Sequence, residues 1–143
     1  MSNSLAHASA SELVTLIRRR EVSCLETMQA SIEQVRAVEP HINAFALVDE
    51  AGALESARRA DEAVADSRTL GPLHGVPFTV KDLIDAAGLE TGNGSWLMKG
   101  QIAARDAWSV ARLRRAGAIL LGKTTTPEFA GSVLTESIRH GVT

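Results

Sequence analysis

Between Gly71 and Leu121 the chain sets out a strand, a helix and a second strand in that order. No other feature constrains its fold as much. Gly71, Pro72, Gly75 and Pro77 form a rigid turn around a short β-branched and aromatic run, Val76 to Val80, which predicts the first strand. Asp106 is placed to cap a helix from Ala107 to about Ala116, and Gly117 to stop it. Ala118 to Leu121 reads as a buried strand. Two strands joined through a helix pair in parallel with a right-handed crossover, so the fold class is α/β. Between them, Ile84 to Gly100 carries five glycine or asparagine positions and predicts irregular loops. Arg112, Arg114 and Arg115 complement the helix dipole and read as a solvated face.

The first third reads as helical. Ser9 and Glu12 have the spacing of a capping box, followed by an apolar stripe of Leu13, Leu16 and Ile17. Ser23 and Glu26 repeat the device, and Leu25, Met28, Ile32 and Val35 continue at helical spacing until Pro40, where the run is expected to stop. A tight corner near Glu21 to Ser23 joins the two helices. Ile42 to Val48 predicts a short strand. Ala53, Ala57, Ala60 and Val64 then line a thin helix face that can sit close to a neighbour. Ser67 to Gly71 is a loop.

A length of 143 residues with 45% hydrophobic residues suits one globular domain. Fifteen Lys and Arg against 17 Asp and Glu leave a net charge of -2 and no basic patch, which argues against nucleic acid and anionic membrane as partners. The single cysteine, Cys24, cannot form an internal disulfide and fits a reducing cytosol. Met1 to Ala10 lacks the basic start and apolar run of a secretory leader. The apolar runs fall far short of the ~20 residues of a membrane span. These features predict a soluble, cytoplasmic protein.

Several chemical motifs fail on inspection. Gly117 to Thr124 satisfies G-x-x-x-x-G-K-T, the phosphate-loop pattern. That mechanism needs a loop after a strand and before a helix, whereas Ala118-Ile119-Leu120-Leu121 reads as the strand itself, and Pro127 follows three threonines. Thr91 to Ser95 is glycine-rich without forming a dinucleotide fingerprint. His74 sits between turn residues and reads as structural. Cys24 lies at a helix start, where a thiolate can be stabilised, but not in the context of a Glu-Lys-Cys site. No cluster of His, Cys and carboxylates has metal-ligand spacing, and no cofactor is expected.

Gly71-Pro72-Leu73-His74-Gly75-Val76-Pro77 followed by Val80-Lys81-Asp82 resembles the opening motif of the amidase signature family. The resemblance extends in order through Gly94-Ser95, Asp106-Ala107, Arg112 to Thr124 and Thr126-Pro127-Glu128-Phe129-Ala130, with Ile42 to Phe45 ahead of it. It covers roughly Ser9 to Thr143. Any one piece is weak, but the ordered set is specific. Members hydrolyse or transfer amide groups with a Ser-Ser-Lys triad, and Lys81 falls on the catalytic lysine. The likeness implies an incomplete amidase-signature fold: N-terminal helices over about 9–66, then at about 71–143 part of a mixed, largely parallel sheet covered by helices. Together these would be the N-terminal portion of one amidase domain.

In such a site a neutral lysine takes the proton of the nucleophilic serine through a second serine. Bringing a lysine from ~10.4 to ~7 takes about 4–5 kcal/mol of preference for the neutral form. Burial at the end of an apolar strand is the expected source. Asp82 would oppose this if it met Lys81, but adjacent strand residues point to opposite faces. No Gly-Gly-Ser-Ser-Gly-Gly run occurs, and neither Ser95, Ser109 nor Ser132 lies in a glycine-flanked context. Glu128 reads as a turn or helix-start anchor. The resemblance therefore implies a small-molecule amide substrate for the intact family and a truncated chain that is inactive alone. The alternative is a non-catalytic module that docks on a complementary chain or self-associates.

Overall fold

The structure is a computed structural model that describes residues 5–143. The leader reading of Met1 to Ala10 falls partly on residues 1–4, outside the described residues. Four helices, α1 (Ala10–Arg18), α2 (Cys24–Ile42), α3 (Glu50–Ala65) and α4 (Trp108–Arg115), accompany a sheet of β1 (Phe45–Val48), β2 (Pro77–Lys81) and β3 (Ile119–Thr124). The strand order is β1-β3-β2. A small hairpin pairs β4 (Glu136–Ser137) with β5 (Gly141–Val142). No described helix is long and apolar enough to cross a membrane.

Both capping boxes form. The Ser9 hydroxyl accepts from Glu12 N while the Glu12 carboxylate accepts from Ser9 N at 2.7 Å. Ser23 and Glu26 make the same exchange at 3.0 and 2.8 Å. Asp61 of α3 adds a second cap to α2, its carboxylate accepting from Cys24 N at 2.7 Å and Leu25 N at 3.0 Å. These bonds satisfy amides that a helix start leaves without partners.

Pro40 does not stop α2, contrary to the sequence expectation; the helix runs through it to Ile42. Proline removes one amide donor, which costs little in a last turn where the bonding is about to end. Asn43 N still closes on Glu39 O at 2.9 Å, and the Glu39 carboxylate receives Ala44 N and Phe45 N. The expected strand from Ile42 is shortened accordingly to Phe45–Val48.

β1 runs antiparallel to β3, with Phe45 opposite Thr124, Leu47 opposite Lys123 and a bulge between. Along β2 and β3 the bonds advance together: Ile119 N donates to Val76 O, and Asp82 N to Thr124 O. The two strands are thus parallel, as the crossover predicts. Gly117, at φ +89°, ends α4 as expected.

Two compact units divide the chain. The first comprises Met1–Ala37, Asp49–Phe78 and Arg112–Leu121. Its interior is apolar: Leu13, Ile17, Met28, Ile32, Ala53, Ala57, Val76 and Ala118 to Leu121 are buried. Burying a side chain such as Ile17 or Met28 contributes about 1.5–3 kcal/mol. The second comprises Val38–Val48, Thr79–Ala111 and Gly122–Thr143. Besides Val80, Ala86 and Val110 it buries Asp82, Thr91, Ser95, Lys123, Thr125 and Thr126. A polar interior persists only where its hydrogen bonds are made, and there the chemistry concentrates.

Candidate active site

β2 decides where Lys81 points. Val80 and Asp82 are buried, whereas Thr79 and Lys81 are exposed, the alternation of a pleated strand. Lys81 therefore stands on the open face. The burial anticipated for it is not supplied by the described residues, because the strand period assigns the inward positions to its neighbours.

Asp82 turns the other way, as anticipated, and is held on every polar atom. Its backbone N donates to Thr124 O at 2.8 Å, and its carbonyl accepts from Asn93 N at 3.4 Å and Lys123 Nζ at 3.3 Å. Its carboxylate accepts from Gly92 N at 3.1 Å and Gly94 N at 3.2 Å. Glycine is required at both places. A Cβ on Gly92 would lie 2.8 Å from Asp82 Oδ2; Gly94 sits at φ +65°, and its Cβ would meet Thr126 O at 2.5 Å.

Lys123 completes this cluster. It is fully buried in β3, and its ammonium donates to Glu90 O at 2.8 Å, Thr91 Oγ1 at 3.0 Å and Asp82 O. Asp82 Oδ1 lies 3.6 Å away. Burial pushes the Lys123 ammonium below the ordinary lysine range, and the Asp82 carboxylate works against that push. A buried ammonium with three acceptors and a counter-ion is satisfied. The G-K-T match is thus part of a strand, and its lysine is committed to protein oxygens. Sequence reasoning treated Lys123 only as part of that decoy. The available signal was a lysine within a run otherwise too apolar to tolerate one unpaired.

Glu90 and Arg139 border the cluster and were not anticipated. The Arg139 guanidinium pairs with the Glu90 carboxylate, donates to Ser95 O at 3.1 Å and lies 5.5 Å from the Trp96 ring centroid. Burial alone would raise Glu90, but Gly100 N–H, Arg139 and His140 hold it below the usual carboxylate range. Burial and Arg139 push His140 below the usual histidine value. Nearby, Phe129 and Ala130 take left-handed φ values of 49° and 57°, and Phe129 N donates to Asn93 O at 2.9 Å. Strained backbone of this kind clusters at functional sites.

The other candidates are structural. His74 is buried in the first unit with Nε2 3.0 Å from Ala60 O. Cys24 is fully buried, and burial, with the Asp61 carboxylate adding to it, pushes its thiol up to about 12; the thiolate that a helix start can favour is therefore not stabilised here. Ser95 is buried, and its hydroxyl accepts from Leu97 N. Ser109 and Ser132 are exposed. Glu128 opens a 3-10 turn, as anticipated. Among the described residues no group of three or more His, Cys, Asp or Glu is placed to hold a metal ion.

A family model described as Amidase matches residues 26–143. The chain belongs to the amidase family. It is 43% identical over 141 residues to a glutamyl-tRNA(Gln) amidotransferase subunit from Cutibacterium acnes, covering 99% of this chain and 28% of that protein. An indoleacetamide hydrolase of Bradyrhizobium diazoefficiens is 40% identical over 135 residues, covering 94% of this chain and 26% of its own length. Among solved structures, the native peptide amidase from Stenotrophomonas maltophilia superimposes with a TM-score of 0.87 at 33% identity, covering 95% of this chain and 29% of that one. The α/β architecture with its partial mixed sheet is thus that of amidases, and this chain spans between a quarter and a third of their length.

Proposed function

We propose that this chain carries the lysine part of an amide-hydrolysing site, with Lys81 as general base and a small-molecule carboxylic amide as substrate. One observation carries the reading: Lys81 stands exposed at the end of β2 while the next residue, Asp82, is turned inward and bound by Lys123. A base needs an open face toward its partner and no carboxylate holding it charged. In this reading the nucleophilic serine, the bridging serine and the oxyanion donors come from family sequence outside these 143 residues. The same sequence provides the cover that lowers Lys81. The chain alone then hydrolyses no amide, because nucleophile and oxyanion hole account for most of the rate. Turnover of a simple aryl amide by the purified chain, lost in Lys81→Ala, would contradict this. A form extended with the remaining family sequence should turn the amide over and lose at least ~100-fold on Lys81→Ala.

A second reading, a non-catalytic module docking on a complementary chain, has its own support. Every large apolar side chain exposed among the described residues lies in the second unit, including Leu97, Ile102, Trp108, Val133 and Ile138. Such an accumulation of apolar surface fits a partner face. One relative is by its name part of an amidotransferase with more than one kind of chain. Co-purification with a serine-rich amidase segment at a defined ratio supports docking; a monodisperse chain that ignores that segment contradicts it.

A further inference from the structure

We propose that Lys123 is a positioning residue for Lys81: by binding the Asp82 carboxylate inside the second unit, it keeps that carboxylate from the neighbouring lysine. The inference rests on the reading of Lys81 as the base, but its geometry is independent of it. Lys81 and Asp82 are adjacent in sequence, so only side-chain direction separates an ammonium from a carboxylate. Three things fix that direction. Gly92 N and Gly94 N supply two hydrogen bonds to the carboxylate. Lys123 supplies the only cation paired with it among the described residues. The absence of a side chain on Gly92 leaves the carboxylate its seat.

Energetics favour the arrangement only while all parts are present. A buried carboxylate with its counter-ion removed is strongly disfavoured in its place. It regains solvation by rotating outward, and outward is where Lys81 stands. Lys123 also reaches the Glu90 and Thr91 segment through two further bonds, so one side chain ties β3 to the loop that seats Asp82. A structural lysine at this point would need only acceptors; a carboxylate one residue from the base makes the electrostatic assignment matter.

The chain contains three lysines, 81, 99 and 123, which makes the test direct. Trace acetylation of the folded chain at pH 8 with a water-soluble acetyl ester, read by peptide mass spectrometry, gives the Lys81 to Lys99 labelling ratio. Lys99 is exposed and serves as the internal reference. In the parent chain Lys123 stays unlabelled. In Lys123→Met the released carboxylate holds Lys81 as ammonium, and the ratio falls by about threefold to tenfold. The double variant Asp82→Asn with Lys123→Met, which has no carboxylate to release, returns the ratio to the parent value. An unchanged ratio in Lys123→Met, or a double variant as low as the single one, overturns the proposal. If Lys123→Met fails to fold, Gly92→Ala carries the test, since its Cβ would displace the Asp82 carboxylate. A falling ratio then supports the proposal and an unchanged one overturns it. The ratio is read without turnover, so it stands or falls separately from the assignment of Lys81 as base, which only the activity of Lys81→Ala addresses.

Discussion

Cys24 shows at the scale of one residue how burial overrules a local cue. Its position at the start of α2 offers amide dipoles that favour a thiolate, yet it lies fully buried, and its thiol is pushed up to about 12. Folded chain should resist iodoacetamide at pH 8, with labelling appearing only as denaturant unfolds it. The linkage has a definite sign. A folded value above the ordinary 9.0 means the neutral thiol is the form the fold accepts. Its stabilisation is complete below pH 9.0 and is lost as pH rises toward about 12. Urea midpoints measured across that window should fall in the parent chain more steeply than in Cys24→Ala. Lys123 follows the same physics with the opposite charge type, burial disfavouring its ammonium while Asp82 sustains it. The sequence showed a lysine in an apolar run; it held no local sign of which oxygens would receive it.

Elements were legible wherever their ends are fixed by neighbours in sequence. Both capping boxes formed because residues three apart meet at a helix start, and Gly117 ended α4 for a similarly local reason. Pro40 was misread because its cost depends on how much helix follows it, and here only a last turn does. Asp61 was invisible as a cap because it arrives from α3, 37 residues away from Cys24. Asp61→Ala removes acceptors from two amides at the start of α2 and should cost about 2–3 kcal/mol. Ser23→Ala, which removes one local cap, should cost about 1 kcal/mol. Urea denaturation of both variants checks the ranking, and Ser23→Ala proving the more harmful would refute the assignment of Asp61 as the stronger cap.

For the whole molecule, the contrast between the units sets behaviour in solution. The first leaves no large apolar side chain exposed among its described residues, while the second leaves Leu97, Val133 and Ile138 almost bare. Sedimentation velocity should show association rising with concentration, and Leu97→Ser with Ile138→Ser should reduce it while each shifts stability by no more than about 0.5 kcal/mol. Concentration-independent sedimentation of the parent chain would contradict this. The sequence by itself determined the α/β class, the helix starts, the parallel crossover and the family, because each rests on short-range spacing or on an ordered set of motifs. Only the tertiary structure decided that Lys81 is open and Asp82 closed, and that Lys123, 41 residues farther along the chain than Asp82, is its partner. The reason is physical: strand pleat and cross-strand register set which charges meet in a low-dielectric interior, and neither is written in the spacing of any one segment.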